Sequence, residues 1–272
     1  MKNIALETLG GIILGFGLFF VSIALSTNNF LMFFDFASLM LVIGGTLAAT
    51  MISFRGRDVT MAFKELIGIF TPQNINSKTL YKEVEKIINL ARVLKQKGMV
   101  ELESEFLRSN IQDSFVKYGG ELVVTGYKGD ELRKMLTNFV ETSFERNLIP
   151  SHVLRTMASF SPAFGMVGTV IGLIIMLDKM GNDPSALGKG LAFALITTLY
   201  GILLAQLLLR PAAEKVKQKQ EILRFRNLLI TEGFVLLGEN RDSILIQDML
   251  NSFLDPDSHF SVIKKSTEKV VE

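Results

Sequence analysis

Four long apolar blocks dominate this 272-residue chain, at Ile4 to Leu25, Phe36 to Phe54, Met157 to Leu177 and Leu191 to Leu209. Each is close to the roughly 20 residues that a helix needs to cross about 30 Å of hydrocarbon, and Glu7 is the one acidic or basic residue inside them. The remaining polar residues are too few to enclose four such helices as one buried core. Lipid cannot satisfy an open sheet edge or an irregular backbone, so spans of this length fold as helices. The expectation is an all-α, polytopic membrane protein with four transmembrane helices and a helical cytoplasmic domain.

Charge placement orients the spans. The connection Ser26 to Asp35 has no Lys or Arg. Arg55 and Arg57 follow the second block, Arg146 and Arg155 precede the third, and Arg210, Lys215, Lys217 and Lys219 follow the fourth. The positive-inside rule then puts both termini and the middle segment in the cytoplasm. The first block is too long for a secretory signal and ends without a small-x-small cleavage pattern, so it reads as a retained helix.

With no cysteine, the chain excludes disulfides and thiolate chemistry. His152 and His259 are far apart, which argues against a metal site. No GxxxxGK[ST] loop and no nucleophile–base pair is present, so the chain reads as neither an enzyme nor a nucleotide motor, and no cofactor is expected. The basic run through Arg224 and Arg226 reads as an anchor near anionic lipid headgroups rather than a nucleic-acid surface.

The expected domains are a first transmembrane hairpin at 1–54, a cytoplasmic helical domain at 55–155, a second hairpin at 156–210, C-terminal cytoplasmic helices at 211–255 and a disordered tail at 256–272. In the middle segment Leu80, Val84, Ile87, Ala91 and Leu94 recur at helical spacing, with Lys82, Glu83, Glu85, Lys86, Arg92 and Lys95 on the outer face. Asp130 to Arg146 reads as a second amphipathic helix, opening on acidic and closing on basic residues. Asp242 to Leu254 reads as a third. Thr71-Pro72 and Tyr118-Gly119-Gly120 read as breaks.

Membrane helices associate where small residues let backbones approach. Gly165, Gly168 and Gly172 form such a strip in the third block, and Gly190, Ala194, Thr197 or Thr198, Gly201 and Ala205 form another in the fourth. Gly11 and Gly15 make a GxxxG pair in the first, read as packing among the four helices. Thr169 and Thr198 add hydroxyls, which either bond a carbonyl one turn back or line a path for a polar group or ion. An ion carrier ordinarily needs a carboxylate at membrane depth. None of the blocks has one near its centre, because Asp35 and Asp178 sit at the outer ends and Glu7 near the cytoplasmic end. If the chain handles ions, another polypeptide brings the carboxylate.

The stretches "SPAFGMVGTVIGLIIML", "ALITTLYGILLAQ…RPAAEK" and "FFDFASLMLVIGGT" resemble the A subunit of the bacterial flagellar motor stator, the MotA/PomA family, over essentially the whole chain. The resemblance implies a pentameric ring in the bacterial inner membrane around B subunits of the MotB/PomB type. Those subunits carry the membrane aspartate and a peptidoglycan-binding domain. Ion flow would turn the ring against the rotor switch protein. The family's rotor charges match Lys95 and Glu103 in "LKQKGMVELESE", with Arg92, Lys97, Glu101 and Glu105 nearby. The family more often has arginine at the Lys95 position. Pro162 and Pro211 match prolines linked to conformational coupling, and physically each reads as a hinge. Hydroxyls at Thr169 and Thr198, with Asp35, match the sodium-driven pattern, so Na+ is the expected ion and H+ the alternative. Two competing readings are a ring of the ExbB/TolQ class, whose members have three spans, and a non-conducting membrane scaffold.

Overall fold

The computed structural model describes residues 6–71, 77–108, 113–178 and 184–260. Every regular element among them is helical. The helices are α1 (Leu6–Ser26), α2 (Phe36–Ser53), α3 (Gly56–Gly68), α4 (Ser77–Lys97), α5 (Met99–Arg108), α6 (Ser114–Thr125), α7 (Gly129–Asp178), α8 (Pro184–Leu203), α9 (Arg210–Gly238) and α10 (Ser243–Asn251). Four helical stretches are long and apolar enough to cross a membrane. The chain is a polytopic membrane protein.

The chain divides into two compact units, one from residues 1–72 and 148–218, the other from 73–147 and 219–272. This division differs from the one expected at residues 55 and 155. The helix α3, a short amphipathic piece with Val59 and Ala62 buried, belongs to the first unit. Ala62 packs with Val153, Leu154, Met157, Leu209, Ala212 and Val216, so the apolar demand of that unit continues past the ends of the hydrophobic blocks. The expected helix at Asp130 to Arg146 and the third apolar block are one 50-residue helix, α7, which runs through Pro150 and Pro162.

The fourth block passes from α8 into a π-helical segment, Leu204–Leu209, and then into α9, where Pro211 is the second residue. The Arg210 N–H donates to the Ala205 carbonyl, five residues back. A wide turn of this kind fits a site where the next residue has no N–H to give.

The core of the second unit is built from α4, α5, α6, α7, α9 and α10 around Leu102, Phe115, Leu132, Leu136, Leu229, Phe234 and Leu250. Val84, Ile87 and Ala91 are buried as the periodicity requires, with Leu80 and Leu94 half-buried beside them. Four expectations change here. Gly119 and Gly120 break nothing, because both lie inside α6. A Cβ at Gly119 would stand 2.5 Å from the Phe234 ring, and one at Gly120 2.6 Å from Phe106, so these glycines make room for aromatic rings.

Glu83 is not on the outer face. It is 8 % exposed and pairs with Arg226, itself 9 % exposed. Arg226 also reaches Asp113, which caps α6 by accepting from the Phe115 and Val116 N–H groups. Arg224 pairs with Glu141 and lies over the Phe144 ring. These two arginines therefore hold the second unit together rather than anchor to headgroups, because carboxylates and a ring inside the fold already engage them.

Residues 256–260 are not part of a disordered tail. Pro256–Ser258 form a 3-10 turn, and Phe260 is 2 % exposed against Tyr81. The Asn251 amide donates to the Phe260 carbonyl and accepts from its N–H, each at 2.8 Å. Residues 261–272 of the expected tail, Pro72 of the expected break and the connection 179–183 lie outside the described residues.

Candidate ion path and charged surface

The two small-residue strips face one another. A Cβ at Gly172 would lie 2.6 Å from the Gly190 carbonyl oxygen, at Gly201 2.7 Å from the Ser161 carbonyl oxygen, and at Gly165 3.0 Å from the Thr197 carbonyl oxygen. These neighbours are backbone, so α7 and α8 touch at a separation that only glycine permits. At Gly168 the neighbour is the Thr197 side chain, at 2.4 Å. Thr197 is fully buried and bonds carbonyls of its own helix, so of the two adjacent threonines it is the packing one. Ser161 adds a bond to the Gly201 carbonyl at 3.0 Å.

Close approach then sets the hydroxyl geometry. Thr169 Oγ1 and Thr198 Oγ1 are 2.6 Å apart, and each lies 3.2–3.3 Å from the carbonyl oxygens of Gly165 and Ala194. Four oxygens thus converge on one place, with two hydroxyl hydrogens to share. One hydroxyl donates to the other, which donates to a carbonyl, so lone pairs outnumber donors. Both threonines are half-buried.

Asp35 is not part of this cluster. It caps α2, its carboxylate accepting from the Ser38 N–H at 2.6 Å, while its own N–H donates to Tyr200 Oη at 3.2 Å. Tyr200 in turn donates to the Phe33 carbonyl. Along the same helix Ser38, Val42, Thr46 and Thr50 form a fully buried row. Thr46 and Thr50 bond carbonyls one turn back, and Ser38 Oγ has no partner among the described residues. Pro162 meets Gly201, whose Cβ would come within 3.2 Å of the proline Cα. Of the expected pair on α1, Gly15 packs on the fourth span, where a Cβ would stand 3.2 Å from a Leu207 methyl, while Gly11 meets nothing within 4 Å among the described residues.

The charged residues of "LKQKGMVELESE" sit on two helices joined by Gly98, whose φ of 82° is the left-handed conformation that favours glycine. Lys95 and Lys97 end α4, while Glu101, Glu103 and Glu105 begin α5. Lys97 and Glu103 are exposed. Arg92 donates to Asn89 at 3.3 Å. Lys95 Nζ pairs with Asp242, at the N-cap position of α10. That pairing, across 147 residues, had no signal in the local sequence.

Residues 102–226 match the MotA/TolQ/ExbB proton channel family. Over 245 residues the chain is 31% identical to motility protein A of Borreliella burgdorferi, covering 89% of this chain and 91% of that one. The chain belongs to the motility protein A family. The chemotaxis protein PomA of Vibrio alginolyticus is 29% identical over 250 residues, covering 92% of this chain and 95% of that protein. Among solved structures, C. jejuni MotAB superposes with a TM-score of 0.84 at 25% identity, over 95% of this chain and 99% of that one. The MotAB stator complex of Bacillus subtilis shares the fold, with a TM-score of 0.81 at 24% identity, over 97% and 98% of the two chains.

The family match starts at Leu102, so α1 to α4 are tied to motility protein A through the whole-chain relatives. Of the expected site residues the structure brings together Thr169 with Thr198, and Gly165, Gly168 and Gly172 with the strip containing Gly201. It does not bring Asp35 to the threonines. The buried row on α2 was missed because Ser38, Thr46 and Thr50 are scattered at four-residue spacing in an apolar block. That spacing was the available signal.

Proposed function

We propose that this motility protein A family member is the A subunit of an ion-driven flagellar stator, in which a B-type subunit brings the membrane carboxylate and sodium is the coupling ion. The observation that carries this reading is the Thr169–Thr198 cluster, two hydroxyls within hydrogen-bond range of each other and of the same two carbonyl oxygens, in a pair of membrane helices whose centres hold no acid. Hydroxyl and carbonyl oxygens replace part of the water shell of a hard cation. The charge that stabilises the cation, and that must change as it leaves, has to come from the partner's carboxylate.

In this reading the glycine-lined α7–α8 pair is the wall that each subunit of a homo-oligomeric ring, a pentamer by family resemblance, presents to that partner. Asp35, as the α2 cap tied to Tyr200, shapes the outer entrance. Pro162, gripped by Gly201, and Pro211, just beyond the π segment, mark where motion of the wall passes to the helices that follow. Both termini and the second unit lie on the cytoplasmic side by the distribution of Lys and Arg. Lys95 and Glu103, with Arg92, Lys97, Glu101 and Glu105 around them, meet the rotor switch protein. The energy scale is adequate, since one elementary charge crossing about 100 mV releases roughly 2.3 kcal/mol.

The test is co-expression with a B-type subunit in a non-motile host. Motility should follow external sodium, and Thr169→Ala should change that ion dependence more than the amount of membrane-inserted protein. Swimming that is unchanged without sodium and lost on collapse of the proton gradient would put the proton in sodium's place.

A further inference from the structure

Asp242 occupies the N-cap position of α10, where an aspartate ordinarily accepts from the first free N–H groups of the helix. Here it forms no such cap, and its carboxylate goes instead to Lys95 Nζ at the end of α4. The Lys95 contact, ahead of a smaller pull from the Ile244 and Ser243 N–H groups, holds the Asp242 carboxyl below its ordinary value. The same carboxylate therefore has two partners at hand. It uses one and stays beside the other.

Both side chains of the pair are open to solvent, 60% for Lys95 and 50% for Asp242. An exposed pair of this kind is weak and quickly exchanged. Past the Gly98 turn, Glu103 on α5 is exposed as well. The two charges expected to meet the rotor are thus presented differently: the acid faces water, while the lysine is engaged by an acid of its own chain.

We propose that Asp242 is a two-position gate on Lys95: it holds the lysine in the disengaged state and falls back to cap α10 when an acidic side chain of a protein partner takes its place. This inference rests on the reading of Lys95 as a rotor contact given above. The partner's chemistry follows from what it displaces, a carboxylate on an exposed surface. Exchange is close to balanced, because one weak pair is replaced by another and the released carboxylate closes onto the Ser243 and Ile244 N–H groups already beside it. The fit is to a contact made and broken many times, not to a permanent bond.

The experiment uses the full-length chain, fluorescently tagged and co-expressed with its B subunit in cells lacking their own A subunit. Units engaged at each motor and torque at low load are measured. Asp242→Asn and Asp242→Ser keep a capping residue but remove the charge. Both should raise the number of engaged units by a factor of up to a few, with the melting temperature of the purified complex unchanged. In a Lys95→Gln background neither should add anything. Engagement by Asp242→Asn equal to that of the unsubstituted chain, or raised equally in the Lys95→Gln background, overturns the gate while leaving the rotor contact standing. If Lys95→Gln alone leaves engagement and torque unchanged, the rotor reading of Lys95 fails, and the gate with it.

Discussion

Replacing Arg226 by methionine removes the cation that two carboxylates share inside the second unit. Arg226 Nη2 lies 2.9 Å from Glu83 and Nη1 2.5 Å from Asp113. A buried pair contributes little net stability, because desolvation nearly offsets the attraction, but an orphaned buried charge costs about 3–5 kcal/mol. Glu83, with 11% of its side chain exposed, then keeps Lys86 Nζ at 3.7 Å, a mostly exposed cation beyond hydrogen-bond range; Asp113 is 35% exposed and keeps its cap on α6, so water can take over part of Arg226's role there. The low end, about 3 kcal/mol, is therefore the expected cost. Hydrogen exchange on the detergent-solubilised full chain measures it, because unit-wide opening is read separately in each region. At a tenfold change per 1.4 kcal/mol, core amides of α4 and of α9 beyond residue 219 should exchange roughly 150-fold faster, with α2 and α8 as the internal reference. Changing Glu83 to methionine as well should recover most of the loss, since apolar replacement of a whole buried pair is close to neutral. A single-variant change below about tenfold, or a double variant no slower than the single, would refute the reasoning.

Three further outcomes follow from the same structure. Gly172→Ala puts a Cβ 2.6 Å from the Gly190 carbonyl and 2.8 Å from the Ala194 nitrogen, both backbone, so α7 and α8 must separate. The purified chain should lose its monodisperse, thermally cooperative form, and a normal melt would contradict this. Asn251→Leu removes the two hydrogen bonds that Asn251 makes with the Phe260 backbone, at a cost of about 1–3 kcal/mol; limited proteolysis should then cut near residue 260. The Asp242 carboxyl is held below 3.8, so its contact with Lys95 contributes fully above that pH and is lost as pH falls through the lowered value. Lys95→Gln should move the Asp242 carboxyl resonance titration up toward 3.8, and an unmoved midpoint would show that the pair does not form in solution.

The spans, their helical nature and the facing glycine strips were legible because lipid imposes length and small-residue contact is periodic. Val84, Ile87 and Ala91 were legible for the same reason: their spacing repeats within one helix. What escaped were contacts between distant parts of the chain. Glu83 sits among charged neighbours in sequence and looks solvated, and nothing local shows that Arg226, 143 residues later, neutralises it. Lys95 conceals Asp242 in the same way. Gly119-Gly120 read as a break because glycine is common both in turns and where rings press on a helix, and the rings of Phe106 and Phe234 are not nearby in sequence. The unit boundaries were misplaced because α7 and α9 continue past the apolar blocks, and hydropathy marks where lipid ends rather than where a helix does.

The wide turn at Leu204–Leu209 acts as a spacer in azimuth. Buried positions run Gly201, Ala205, Leu209, Ala213, a four-residue step that in an ordinary helix would drift by about 40° each time; here all four are buried. The turn absorbs the surplus residue, so the faces before and after it keep a common direction. Deleting one residue within it would restore plain α winding without rotating either face. A deletion two turns earlier would swing Gly165's partners away. This short stretch is therefore where the helix tolerates a change of length, and Pro211, one residue beyond Arg210 and lacking an N–H, fixes its C-terminal end.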